Sequence, residues 1–193
     1  MNKTEQLTKL NDKMSKCSKC ALHSNRGHVV FGTGNPEAKI MFIGEAPGKK
    51  EDELGIPFVG SSGRILDKMI ESIKMKRQDV YITNICKCRP PENRDPLPEE
   101  IQECWPWLEK QIEIIDPKII VTLGKFALNS FLPVAKISEA HGKIIETKIP
   151  KIGNIKIFPL HHPAAARINK KTRAIFEEDF KKIPKLLQNK KEQ

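Results

Sequence analysis

Four short apolar runs punctuate the chain: Ile40–Ile43, Val80–Ile85, Ile119–Leu123 and Ile155–Leu160. Each follows a polar or proline-containing turn, and helix-length segments separate three of them. Continuous apolar strands alternating with helices predict a parallel sheet covered on both faces. Helices are expected over Gly63–Ile73, Glu99–Ile115, Lys125–Phe131 and Ala174–Leu187. Ser61 or Ser62 is expected to cap the first, and Pro98 suits the entry to the second. Ile144–Ile149 and Ile155–Phe158 flank a KIGN turn and predict a hairpin that ends in the last strand. With no repeat, low-complexity tract or interdomain linker, the expectation is one α/β domain over residues 1–193.

In such sheets the loops at the carboxyl ends of the strands gather functional groups. Here the first strand runs into Gly44-Glu45-Ala46-Pro47-Gly48 and the second ends at Asn84. The third ends at Gly124 and the fourth at His161-His162-Pro163. A carboxylate, an amide and an imidazole therefore converge on one rim, the arrangement of an active site.

Composition narrows the function. The formal net charge is +10, and from Pro163 to Gln193 nine Lys or Arg face four Asp or Glu. That surplus favours a polyanionic partner, nucleic acid above all, against a solvated basic helix and tail. No apolar run approaches the ~20 residues of a membrane span, and the charged start lacks the apolar core of a signal peptide. A cytoplasmic protein with reduced thiols and no membrane partner is expected. Of five cysteines, Cys17-x-x-Cys20 can clasp one side of a metal. Cys88 and Cys104, in the stretch CRPPENRDPLPEEIQEC, can close the other, holding zinc or an iron–sulfur cluster. Cys86 sits in the apolar run VYITNIC and reads as a core residue.

Three stretches, GEAPGKKEDELGIPFVGSSGRIL, VYITNICKCRPPENRDPLPEEIQEC and FPLHHPAAARINKKTR, resemble the family 4 uracil-DNA glycosylases, the iron–sulfur type of bacteria and archaea. The likeness runs from Cys17 to about Arg173, with the motifs in the family's order. It implies a three-layer α/β/α fold around a short central parallel sheet of four strands. It also implies hydrolysis of the N-glycosidic bond of uracil in DNA, the first step of base excision repair. A structural 4Fe–4S cluster on Cys17, Cys20, Cys88 and Cys104 follows from the same likeness, with zinc as the alternative.

Carried over by resemblance, Phe58 stacks on the extruded base and Asn84 reads its edge, with Ala46 and Gly48 in the same pocket. An amide can donate to uracil O4 while accepting from N3–H, a pattern that cytosine reverses. His162 matches the imidazole near uracil O2, where a donor stabilises the departing anion. Related families place an Asp where Ala46 stands, which leaves Glu45, Glu51 and Asn93 as polar candidates. Glu51 is expected beside the base and Asn93 near the sugar or water, with Glu45 either catalytic or bracing the loop. Ser61 and Ser62, at a helix N-terminus, suit a phosphate, and Arg64 and Arg89 add charge. Pro163–Arg173 resembles the family's intercalation loop, in which Arg167 or Ile168 fills the gap left by the base and Arg173 is a further DNA contact.

Two other classes stay open from the residues: a uracil-DNA capture protein without turnover, and an iron–sulfur electron carrier. The expected partner is uracil-containing DNA, single- or double-stranded. A monomer in the prokaryotic cytoplasm, associated with the nucleoid, is expected, and a sliding clamp or other repair partner is left open.

Overall fold

The computed structural model describes residues 1–188; the basic tail expected after the last helix falls at 189–193, outside the described residues. Six strands form one sheet: β1 (Thr33–Gly34), β2 (Ile40–Gly44), β3 (Tyr81–Asn84), β4 (Ile119–Leu123), β5 (Ile145–Ile149) and β6 (Gly153–Leu160). Their order is β1-β3-β2-β4-β6-β5. The four expected strands, β2, β3, β4 and β6, pair in parallel. Short antiparallel β1 and β5 cover the two edges, and β5 with β6 makes the hairpin expected around KIGN. The result is a mixed sheet of six strands around the parallel four.

Helices lie on both faces. The elements are α1 (Lys3–Met14), α2 (Lys49–Leu54), α3 (Ser61–Ser72), α4 (Pro98–Ile115) and α5 (Lys125–Phe131). They continue with α6 (Ile137–Ala140), α7 (Pro163–Ile168), α8 (Lys170–Phe180) and α9 (Ile183–Leu187). Strand residues alternate between two cores, as a pleat requires. Met41, Ile43, Tyr81, Ile120 and Ile157 pack against α1, α4 and α5. Ile40, Phe42, Ile82, Val121 and Phe158 pack against α3, α8 and α9. Phe42 stacks on Phe180 with centroids 5.6 Å apart, a fully buried pair whose truncation costs about 3–5 kcal/mol. Among the described residues no helix is long and apolar enough to cross a membrane.

Three local expectations change. The cap of α3 is Gly60, without a side-chain cap bond; the Glu51 carboxylate instead accepts from Val59 N–H and Gly60 N–H. The single helix expected over Ala174–Leu187 is broken into α8 and α9 at Lys181–Lys182. Pro184 lies in the first turn of α9; it has no N–H to extend the preceding helix, and its ring clashes with the turn before it. The Pro163–Arg173 loop is helical, with Pro163 opening α7 and Asn169 capping α8.

Candidate active site and cysteine cavity

An open cleft of about 550 Å³ lies at the carboxyl rim of the sheet. Ala46, Gly48, Glu51, Phe58, Asn84, Asn93 and His162 line it, with Ser61, Ser62, Arg64 and Arg167 around the mouth. Eleven of the fifteen residues proposed from sequence for catalysis, base binding and DNA contact therefore share one surface.

The base of the cleft is set by β2 and β3. Gly44 pairs in register with Asn84. A Cβ on Gly44 would stand 2.5 Å from both Asn84 Oδ1 and the Phe58 ring, so only glycine lets these side chains close over the strand end. Asn84 is 2% exposed, and its Oδ1 has no hydrogen-bond partner among the described residues. Leaving a buried acceptor unpaired costs about 1–3 kcal/mol, so the carboxamide is built for something that enters the cleft.

Phe58 is held under strain. Its φ is +52°, a left-handed conformation that costs a non-glycine residue about 1–3 kcal/mol. Arg77 donates to the Phe58 carbonyl at 3.1 Å and also to the Pro57 carbonyl, and it pairs with Asp67 at 2.7 Å. A side chain at Gly63 would collide with the Phe58 carbonyl. The ring centroid lies 6.1 Å from that of His162.

His162 caps α7: Ala164 N–H donates to its Nδ1 at 3.1 Å. Nδ1 is therefore the acceptor, and the ring proton sits on Nε2. Burial holds the imidazole down at about pKa 4, below its ordinary 6.5. His162 is thus a neutral imidazole that donates from Nε2. His161 packs elsewhere, its ring 4.9 Å from that of His141, which is bonded to Asp179 at 2.7 Å.

The remaining polar candidates separate. Glu51 lines the cleft, but its Oε1 braces the Val59–Gly60 turn at 2.9 and 2.7 Å. Asn93 has φ +54°, and its Oδ1 accepts from Arg89 Nε at 2.8 Å, which leaves its amide N–H groups for the cleft. Arg89, expected at a phosphate, stands outside the cleft lining and holds Asn93. Glu45 also stands outside the cleft lining, just past the end of β2 at Gly44. Burial, reinforced by Asp95 and opposed by Lys125, pushes the Glu45 carboxyl up to about 7.

Ile168 ends α7 with 78% exposure, an apolar side chain at the turn into α8. Arg173 lies on the surface of α8, 3.7 Å from Glu177. Lys49 and Lys50 also line the cleft; sequence reasoning missed them, although their place directly after Gly48 in the GEAPGKK motif could have pointed to them. Arg77, nineteen residues from the carbonyl it holds, left no sequence signal at all.

Cys17, Cys20, Cys88 and Cys104 line a second cavity, walled by Met14, Leu22, Val29 and Trp107, with Lys19, Arg26 and Lys87 around it. All are free thiols. Among the described residues no three His, Cys, Asp or Glu side chains converge into a metal-holding group, so the test of the site is its chemistry. Arg26 donates to Cys88 Sγ at 3.5 Å and Lys87 N–H to Cys104 Sγ at 3.3 Å. Trp107 Nε1–H is buried without a partner among the described residues. Four thiols ringed by cations and spare N–H donors suit an anionic thiolate centre. Cys86 is buried outside that lining. Its thiol donates to Cys104, which pulls Cys104 below the ordinary thiol range and pushes Cys86 up. Burial likewise lifts Cys88 to about 11.

Residues 31–187 match the model of the uracil DNA glycosylase superfamily. The chain is 45% identical over 188 residues to the type-4 uracil-DNA glycosylase of Archaeoglobus fulgidus, covering 94% of each. It is 46% identical to the one of Sulfurisphaera tokodaii, covering 94% of this chain and 85% of the relative. With that of Thermotoga maritima it shares 42% over 175 residues, 90% of each.

Proposed function

The chain belongs to the type-4 uracil-DNA glycosylases of the uracil DNA glycosylase superfamily, and on that premise we propose how the cleft removes uracil from DNA. The unpaired Oδ1 of buried Asn84 is the observation that carries the assignment. An extruded uracil satisfies it with N3–H while accepting at O4 from the Asn84 amide, whereas cytosine offers an acceptor at N3 and a donor at N4. The ring stacks on Phe58, worth about 1–3 kcal/mol.

Cleavage of the glycosidic bond leaves the sugar cationic and the base anionic. Nε2–H of His162 donates to uracil O2 as that charge develops. A neutral imidazole suits this, because the proton stays on the ring and only the hydrogen bond strengthens. Water then adds to the sugar cation, and the proton it sheds passes through solvent to neutralise the departing uracil anion. Asn93 N–H groups and the Glu51 Oε2, which does not brace the turn, hold that water; Ala46 contributes no acid or base. The N-terminus of α3 at Ser61 and Ser62, with Arg64 and Arg167, takes backbone phosphates. Ile168 is the wedge that fills the vacated stack.

The four thiols hold a 4Fe–4S cluster that fixes the loop after β3 and the N-terminal segment; the pattern of donors to sulfur supports this over a set of isolated thiols. Bound there, the cluster serves as a structural staple, and no step of base removal passes through it.

The test is a duplex oligonucleotide with one uracil, incubated with purified protein and then treated with alkali. Cleavage at the uracil only after alkali is expected. Intact strands after both steps, with a thymine control behaving identically, would refute the assignment.

A further inference from the structure

The Lys87 side chain is 1% exposed, deep in the protein between two of the cysteines, and nothing in base removal described so far uses it. Its Nζ donates to Thr83 Oγ1 at 2.5 Å, to the Asn84 carbonyl at 2.7 Å and to Gln111 Oε1 at 2.6 Å. Three donors thus find three acceptors, the full capacity of an ammonium. The backbone N–H of the same residue donates to Cys104 Sγ. Gln111 is itself anchored, its Nε2 donating to the Phe31 carbonyl at 2.8 Å. One side chain therefore ties α4, the cysteine-bearing loop and the last peptide of β3 together.

That last peptide belongs to Asn84. Its carboxamide oxygen has no partner among the described residues, so no hydrogen bond at that oxygen fixes its aim. The direction of the Cα–Cβ bond, and with it the carboxamide, is set by the backbone on which Lys87 pulls. We propose that Lys87 is a positioning residue for base recognition: it locks the Asn84 peptide so that the carboxamide meets the uracil edge. Burying a lysine is expensive, and lysines are rarely inside unless fully paired. A solvent-facing lysine beside the cysteines would have supplied the same local charge without that cost.

The inference rests on the uracil-excision assignment, and its test keeps the two apart. Single-turnover uracil release is measured for the parent, Lys87→Met, Asn84→Ala, His162→Ala and the two double variants that carry Lys87→Met. Displacing a recognition group by a fraction of an ångström to an ångström is expected to slow Lys87→Met by roughly 10- to 100-fold. The same loss is expected in the His162→Ala background. In the Asn84→Ala background, adding Lys87→Met is expected to change the rate by no more than about twofold, since the group it positions is already gone. General destabilisation would lower both backgrounds alike, and melting temperatures report it separately. Equal losses in both backgrounds, or a Lys87→Met enzyme within about twofold of the parent, would overturn the proposal. A parent without uracil release would instead refute the assignment beneath it. Should Lys87→Met not fold, Thr83→Val, which removes one of the three acceptors at constant shape, runs through the same cycle with a smaller loss and the same criterion.

Discussion

The cleft and the cysteine cavity share the loop after β3, which gives Asn93 to the one and Cys88 to the other, yet they are finished to different degrees. In the cleft every recognition group is already in place: Phe58 is held in a left-handed conformation by Arg77, and His162 has its tautomer set by Ala164 N–H. What is lacking, among the described residues, is a partner for one buried oxygen on Asn84. Around the cysteines the donors to sulfur are present, but burial keeps Cys20 and Cys88 protonated. Transition-state chemistry demands groups fixed in advance. A metal centre can assemble its own ligands, because thiolate–metal bonds outweigh the rearrangement they require.

The sharpest break in that comparison comes from removing cysteines. Cys88→Ala or Cys104→Ala should abolish the brown colour and bound iron and most of the soluble yield, while Cys86→Ala should keep all three. Iron analysis and visible absorbance decide it; zinc alone in anaerobically prepared protein would contradict the cluster.

Next in size is chemistry. His162→Ala removes one donor to the developing anion and should slow single-turnover release by about 10²–10³-fold, with binding of uracil DNA nearly unchanged. A rate within a few-fold of the parent would take His162 out of the mechanism. Phe58→Ala should weaken capture of the extruded base by about 1–3 kcal/mol, read as a higher half-saturating enzyme concentration. The product should be an intact strand with an abasic site, and borohydride should trap no adduct.

Smaller and opposite in sign are two pH effects on stability. His162 titrates at about 4 when folded and at 6.5 when unfolded. The stability of its neutral form is therefore present above about pH 6.5 and is lost as pH falls through 4. Glu45 titrates at about 7 when folded against an ordinary 4.5, so its contribution is present below about pH 4.5 and is lost as pH rises through 7. Melting temperature against pH should flatten on the acid side in His162→Gln and between pH 4.5 and 7 in Glu45→Gln.

Much of this was legible in the order of residues. The four parallel strands are apolar runs because both faces are covered, and the β5–β6 hairpin follows from its turn. The convergence of Asn84 and His162 follows from their places at strand ends. Other parts were hidden for physical reasons. Helix α2, KKEDEL, is polar all round, so it carries no periodic stripe. Helix α1 buries only Leu7 and Met14, although Asn2 and Glu5 form a capping box that marks its start. Pro163 opens α7 rather than breaking a helix, which made the segment read as a loop. Glu51 Oε1 braces a turn and Arg89 holds a neighbouring amide, and such roles depend on contacts that close only in three dimensions. Lys87 is the extreme case: a lysine in a cysteine loop reads as surface charge until its three acceptors are seen.

The central claim is that uracil completes the cleft by pairing with Asn84. A crystal structure of the protein with free uracil tests it most directly. Uracil N3–H and O4 should face the Asn84 carboxamide, O2 should lie within hydrogen-bonding distance of His162 Nε2, and the ring should stack on Phe58. Uracil bound with its O2 toward Asn84, or lodged outside the cleft while Asn84 Oδ1 stays unpaired, would contradict it.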